Sequence, residues 1–415
     1  MSYTYVTFGA LVTALLERLQ DQYATYLTSA GAGFVTPAEA TAYLQEALQT
    51  LNAQASLWNA DYVLPFTAAT PWQSLAVLPA SPRVRTVTDT DILTAMEYAL
   101  LEPPTGWTWT GTSQFTLADL SQALIARRDE LLQASGANVV RLTGIGSPTA
   151  GVTTVLPDTA LQLRRVRWVP ATGLGYSPYA LAREDAGTRD AYGPPVLTDT
   201  GEPESWLVTA NAPLEFDVST VPPVPGLWDL LLLEAGPAPA PPAATVLGLP
   251  NDWCWVAKWG ALADCLSNSP ERVDALRAKY CAARYAKGMR AMAELPWLLN
   301  VSVGAVATDS PSVQEADAYA QDWEEQWPAG DPQVVVGGMD LVALAPFVTA
   351  GTVTANLTVV GNAPIDPTQS VQLARDGVDA VLAYAQHLAM FKCGGQEFAA
   401  TLPLLQQFED YCAAC

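Results

Sequence analysis

The sequence predicts an α+β fold: an antiparallel helical bundle with an inserted small antiparallel β-sandwich or barrel, plus a C-terminal α+β extension. Three observations predict it. Apolar residues recur at helical spacing through most of residues 1–136, with capping signals where the segments begin. Between 137 and 248 the period changes to two, and Pro- and Gly-rich turns separate the runs. Helical spacing returns at 249–295, and residues 296–415 mix both periods. Those four stretches are the expected organisation: an N-terminal helical part with short β segments, a β-rich domain, a helix hairpin packing on the N-terminal helices, and the extension.

The first helix carries Phe8, Leu11, Leu15, Leu19 and Tyr26 on one stripe, and Gly31 and Gly33 stop it. Thr36-Pro37-Ala38-Glu39 opens the second. Thr36 can accept from the first turn, Pro37 has no amide to lose there, and Glu39 completes a capping box. Tyr43, Leu44, Ala47, Leu48, Leu51 and Ala55 continue its apolar stripe. Residues 62–66 and 83–87 alternate at period two and are expected to be extended. A helix over 91–101 ends at Pro103, Pro104 and Gly106, and Trp107 and Trp109 lie in the aromatic segment beyond it. Thr116 and Asp119 cap another helix, with Leu117, Leu120, Leu124 and Leu131 inward. Arg127, Arg128, Asp129 and Glu130 form its charged face, and Gly136 is its stop.

Residues 161–169, 205–208 and 214–218 alternate as strands, and 228–233 is the continuous apolar run of a buried one. From Asn251 a helix sets Trp255, Trp259, Leu262 and Leu266 on one face. A short link at 268–270 leads to a second helix with Val273, Leu276, Tyr280 and Ala283 inward and Arg272, Arg277 and Arg284 facing elsewhere, an antiparallel hairpin. Further on, 334–336 and 353–360 read as strands. Asp366-Pro367-Thr368 opens a long helix carrying Val371, Val378, Leu382, Ala385 and Leu388. Gly394-Gly395 ends it, and a final helix follows Thr401.

Half of the 415 residues are hydrophobic and 13 are Trp, which suits a large core and argues against disorder. Acidic residues outnumber basic ones 42 to 20, for a net charge of −22. Phosphate binding draws on Lys and Arg, so this composition suits neither a DNA clamp nor an anionic membrane. The acidity either keeps an apolar protein soluble or lines a conduit past which a duplex slides. No apolar run is long enough to span a bilayer. Met1–Leu16 lacks the basic region and cleavage motif of a signal peptide, so the six cysteines are expected to be reduced and buried. Cys412-Ala413-Ala414-Cys415 fits redox and prenylation patterns but has neither context, and reads as a helix end.

Chemistry is sparse. His387 is the one histidine, so multi-His metal sites and H-E-x-x-H are excluded, and a Ser-His-Asp triad would have to use a residue set in an apolar helix. No G-x-S-x-G elbow, P-loop or dinucleotide fingerprint is present. Paired carboxylates could serve a glycosidase, but Glu324-Glu325 reads as a solvated helix face. Trp107, Trp109, Trp206 and Trp228 could stack on sugar rings, though core or interface positions are simpler. Arg164, Arg165 and Arg167 with Trp168 form the densest basic patch. It is either an exposed strand face or a contact to an acidic neighbouring subunit. The expected interface set is therefore Trp107, Trp109, Arg127, Arg128, Arg164, Arg165, Arg167, Trp168, Arg272 and Arg277, with no catalytic, cofactor or metal residue.

The order of parts resembles the head-to-tail adaptor (neck, connector) proteins of tailed bacteriophages. The resemblance covers roughly residues 8–292. It is carried by Thr36-Pro37-Ala38-Glu39 with Tyr43–Leu48, by Leu161-Gln162-Leu163-Arg164-Arg165-Val166, and by Gly201–Trp206 with Pro213-Leu214. The last part is the hairpin from Leu249-Pro250-Asn251-Asp252-Trp253 through Trp259–Asp264 to Arg277–Tyr280. These are loose patterns, and residues 293–415 go beyond them. The resemblance implies a non-enzymatic structural virion protein. It would be assembled in the bacterial host cytoplasm and form a homo-oligomeric ring, expected to be a dodecamer, that binds the portal protein on one side and the tail nozzle or tube on the other. Packaged DNA would pass through its channel without specific binding, on its way to ejection. About twelve copies would bring roughly −260 to that channel. A tail-tube or nozzle subunit of the same virion is the near alternative. A secreted carbohydrate-binding or carbohydrate-degrading protein is the distant one, and it needs a secretory route.

Overall fold

The computed structural model describes residues 3–23, 35–100, 115–147, 153–185, 199–241, 243–267, 274–327, 330–366 and 368–415. In chain order it begins with β1 (Tyr3–Thr7), α1 (Phe8–Tyr23), α2 (Pro37–Ala55), β2 (Asn59–Thr67), β3 (Trp72–Ser74), α3 (Asp89–Leu100) and α4 (Leu117–Ser135). A strand-rich stretch follows: β4 (Val139–Gly146), β5 (Thr153–Val155), β6 (Ala160–Pro170), β7 (Tyr179–Ala180), β8 (Ala182–Arg183), β9 (Ser205–Asn211), β10 (Leu214–Val218) and β11 (Gly226–Glu234). Then come α5 (Cys254–Ser267), α6 (Ala275–Glu294), β12 (Leu298–Val303), β13 (Val306–Ala307), α7 (Val313–Tyr319), β14 (Gln333–Gly338) and β15 (Leu341–Ala345). The chain closes with β16 (Thr352–Val360), β17 (Ser370–Ala374), α8 (Arg375–Met390), α9 (Gly395–Ala399) and α10 (Leu402–Ala414). The fold is α+β, and nearly every strand pairing is antiparallel.

The helices start where the sequence signals. Thr36 accepts from the Glu39 amide and Glu39 reaches back to the Thr36 amide, a complete capping box, and Thr116 and Asp119 repeat it on α4. Gly136 ends α4 in the left-handed region at φ 68°, where a Cβ would be strained. Leu44, Leu48 and Leu51 of α2 join Leu11 and Leu15 of α1, Leu124 and Leu131 of α4, Trp255 and Trp259 of α5, and Val381, Leu388 and Phe408 in one buried cluster. Gly288 lets α6 close on α5, since a Cβ there would sit 2.6 Å from Val256 and 2.9 Å from Trp255.

The strand-rich stretch forms two four-stranded sheets, ordered β4-β11-β6-β7 and β5-β10-β9-β8. Trp168, Trp206, Phe216, Trp228, Leu230 and Leu232 make a second core between them. Strand side chains alternate between faces, so β11 sends Leu230 and Leu232 into this core and Leu231 and Leu233 into the helical one. Its unbroken apolar run is the mark of a strand buried on both sides.

The structure corrects several expectations. Residues 296–415 are not an appended extension: β16 pairs with β2, β15 with β3 and β17 with β1, so a boundary at 295 would divide three sheets. These strands enclose a third core, which includes Leu64, Phe66, Val301, Val342 and Leu357. Residues 83–87 form no strand, because Arg83 and Arg85 turn inward to Asp340. The segment after Asp366 makes β17 before the helix, which opens only at Arg375. On α6, Leu276 is 76% exposed and Ala283 is exposed, whereas Arg284 is buried. The buried stripe runs through Ala278, Cys281, Arg284, Tyr285, Gly288 and Met292. Glu324 is 1% exposed and lies in a turn after α7, so it is no solvated helix face. Tyr26, Gly31, Gly33, Pro103, Pro104, Gly106, Trp107, Trp109, Arg272, Val273 and the 268–270 link, for which the sequence sets expectations, lie outside the described residues.

Leu231 anchors the sheet pair to the helices and is 2% exposed. Leu231→Ala should lower unfolding stability by about 2–5 kcal/mol, read as a shifted urea midpoint.

Candidate functional site

Strand alternation splits β6 into two faces. Val166 and Trp168 enter the core between the two sheets, so Arg165 and Arg167 stand on the opposite face. Register brings in two neighbours: Asp229 of β11 lies opposite Arg167 and Thr143, and Arg141 of β4 lies opposite Leu231. Arg141 binds both Asp229 oxygens in a fork, with its Nε and Nη2 each donating at 2.7 Å.

The turn after α7 covers this face. A capping box between Ser312 and Glu315 starts α7, and Asp317 on it accepts from Arg165 Nε and Nη2 at 2.8 and 2.7 Å. Glu324 accepts Arg165 Nη1 on one oxygen, at 2.5 Å, and faces Arg167 Nη1 on the other at 2.7 Å. Glu325 takes Arg167 Nη2 at 2.5 Å. The Trp323 indole donates to Asp317 at 2.8 Å, and the Arg165 guanidinium lies over its ring at 5.3 Å. Two backbone bonds fasten the segment further: the Ala180 amide donates to Gln321 and the Phe347 amide to Glu324. Three guanidiniums and four carboxylates thus form one cluster, and Arg165, Arg167 and Glu324 are all buried. Burial pulls the Arg165 pKa down, but Glu324 and Asp317 more than offset it and leave it above the ordinary value.

Of the seven expected interface residues that are described, four (Arg128, Arg165, Arg167 and Trp168) are turned inward, and the seven do not form one surface. Arg165 and Arg167 are buried against acids of their own chain, so these two neither form an exposed strand face nor reach a neighbouring subunit. Trp168 is fully buried beside Tyr176 and Tyr179. Arg164 is partly exposed and donates to the Gln133 carbonyl at 3.3 Å. Arg128 is 2% exposed, bonding Asp129 and the Pro237 carbonyl, so it leaves the charged face expected of α4. Arg127 keeps to that face but forks onto Asp264 at 2.6 and 2.7 Å and reaches Glu130. Arg277 pairs with Asp274 at 2.6 Å and lies over Phe391. Trp206 and Trp228 are 1% and 0% exposed, so neither is open to a sugar ring.

Sequence reasoning did not single out Asp229, Asp317 or Trp323, and it named Glu324 only as a solvated carboxylate; they lie up to 159 residues from their partners. One local signal existed: the Ser312-x-x-Glu315 box marks an ordered helix just before them. It also missed two buried lysines, Lys258 on Glu46 and Lys392 on Glu39.

His387 is fully buried in α8. The Thr401 hydroxyl donates to the Phe398 carbonyl, so it accepts from His387 Nδ1 at 2.8 Å, which leaves Nε2 to accept from the Tyr280 hydroxyl at 2.8 Å. Burial, helped by nearby Arg284, lowers its pKa to about 3. Asp252 is the converse. Burial raises its pKa to about 7, against hydrogen bonds from Asn52 and the Ala363 amide.

Two cavities accompany these groups. A cleft of about 730 Å³ lies between β3 and β4, with Trp72, Val84, Val139 and Leu341 in its walls and no carboxylate among its lining residues. A smaller one of about 210 Å³ sits among α2, α3 and α5 beside Glu46 and Lys258. Among the described residues, no group of three or more His, Cys, Asp or Glu is placed to hold a metal, and no helix is long and apolar enough to cross a membrane. Compared with known proteins, the chain matches no family model and no curated protein sequence.

Removing one partner of the buried cluster strands the others. Glu324→Ala should cost about 3–5 kcal/mol of unfolding stability, measured by chemical denaturation. His387 sets an acid limit. The unfolded chain takes up this proton near pH 6.5 and the folded chain only near 3, so the site's contribution, full above 6.5, is lost as pH falls through that window. The urea midpoint of His387→Gln should fall less steeply than wild type between pH 6.5 and 4.

Proposed function

We propose that this chain is a structural virion protein: a head-to-tail adaptor that forms a ring between portal and tail and lines the DNA channel. We read its fold as an antiparallel helical bundle carrying an inserted β-sandwich, with the strands of 296–415 bracing both. The observation that carries the reading is how charge is partitioned. Arg83, Arg128, Arg165, Arg167, Lys258, Arg284 and Lys392 are buried. Arg18, Arg85, Arg127, Arg141, Arg277 and Lys287 are ion-paired to acids of the same chain. Of 42 acidic residues only Glu39, Glu46, Asp89, Glu97, Asp229, Asp252, Glu324 and Asp340 are buried among those described. Thirteen of the 20 basic residues are thus buried or paired to acids within the chain, while Arg183, Lys279, Arg290 and Arg375 are exposed, and most of the described carboxylates are not buried. Such a wall repels phosphates over a Debye length of about 8 Å at physiological salt, so a duplex meets no counterion-releasing grip.

Electron microscopy of the purified chain mixed with a portal protein encoded in the same genome tests this. Rings of the chain capping the portal are expected, together with no retention of duplex DNA at physiological salt. Free monomers beside bare portal rings would refute the adaptor reading.

A further inference from the structure

The two-sheet unit and the helical body have separate cores, and the face where they meet is half apolar and half ionic. Leu231, Leu233 and Val139 supply the apolar half, packed into the helical core. Arg141, Arg165, Arg167 and Asp229 supply the ionic half, and Asp317, Glu324 and Glu325 approach it from the 312–327 segment. That segment belongs to the body: Val313, Ala316 and Trp323 are buried in the helical core, the Val336 amide of β14 donates to Pro311, and Trp323 packs edge-on against Trp72 and Phe347.

An apolar contact alone is tolerant of sliding, because its energy depends on area and not on direction. A fork of guanidinium on carboxylate has one geometry. Buried ion pairs add little net stability over well-packed apolar side chains, while leaving one partner alone is strongly penalised. A cluster of this size at a single seam is thus poorly explained by stability and well explained by direction. We infer that the Arg165–Arg167–Glu324 cluster is a positioning joint, which fixes the angle at which the two-sheet unit sits on the helical body. Any small rotation would separate Glu324 from one of its two guanidiniums, whereas the leucine contacts would survive it. The inference goes beyond the adaptor reading and does not depend on it, since it concerns one chain.

The test separates direction from stability. Spin labels are placed at two exposed positions, Val155→Cys on β5 of the two-sheet unit and Leu276→Cys on α6 of the helical body, 56% and 76% exposed. The background is the full chain with Cys393→Ser and Cys415→Ser. With the native cluster, the pulsed-dipolar distance distribution should be single and narrow. Arg165→Met, Arg167→Met and Glu324→Leu together remove the cluster's centre, while Arg141 keeps Asp229. The distribution should then broaden at least twofold or split, while the melting temperature is held or raised. A distribution as narrow as the native one would overturn the inference, since the leucine contacts and the Ala180–Gln321 backbone bond would then be setting the angle without the cluster. Should the triple variant not fold, Arg165→Lys with Arg167→Lys keeps every charge and loses only the forks. It should also broaden the distribution, and an unchanged width would again overturn the joint.

Discussion

A charge removed from water must find its opposite, and much of this molecule follows from that constraint. Among the described residues seven Lys and Arg side chains are buried, and each is held by an acid, a carbonyl or an aromatic face of its own chain. Their partners often come from distant sequence: Arg83 finds Asp340, Lys392 finds Glu39, and Arg165 finds Glu324. These pairs contribute little net stability over apolar packing, but they permit few alternative arrangements of the elements that carry them. The cores supply the driving force, and the ion pairs select which packing is adopted. The same constraint balances the interior, where among the described residues seven buried Lys and Arg are matched by eight buried carboxylates, so the chain's excess of acid stays outside.

Local rules were legible where local physics decides. The capping boxes at Thr36 and Thr116 involve residues three apart, and both form as their spacing indicates. The alternation of β6 and the continuous run of β11 were equally readable, because side-chain period depends only on the strand. Burial of a charged residue was not readable. Arg165 and Arg167 on an alternating strand look like a solvated face unless Asp317 and Glu324 are known to lie over them. Arg128 and Arg284 were misplaced for the same reason: an arginine on a helix is read as polar, yet here one reaches the Pro237 carbonyl and the other lies over Trp255 and Tyr384.

Long-range strand pairing was the other blind spot. β2, β3 and β1 each have alternating or short apolar patterns that name no partner, and their partners lie beyond residue 340. The third core exists only once both ends of the chain are present, so nothing in residues 59–74 alone announces it. The candidate interface suffered similarly. A list of Arg and Trp drawn from sequence selects residues with strong interactions, and in a chain of this composition the strongest interactions are internal.

The pairing of β1, β2 and β3 with strands near the other end has a temporal consequence. During synthesis β1, β2 and β3 leave the ribosome with their edges open and their apolar faces uncovered, and they stay so until residues 341–374 have emerged. Closing loops of this length is slow, and exposed edges invite association with other chains. The molecule therefore commits to these sheets late, and a neighbour that recognises them can engage only copies synthesised past residue 374.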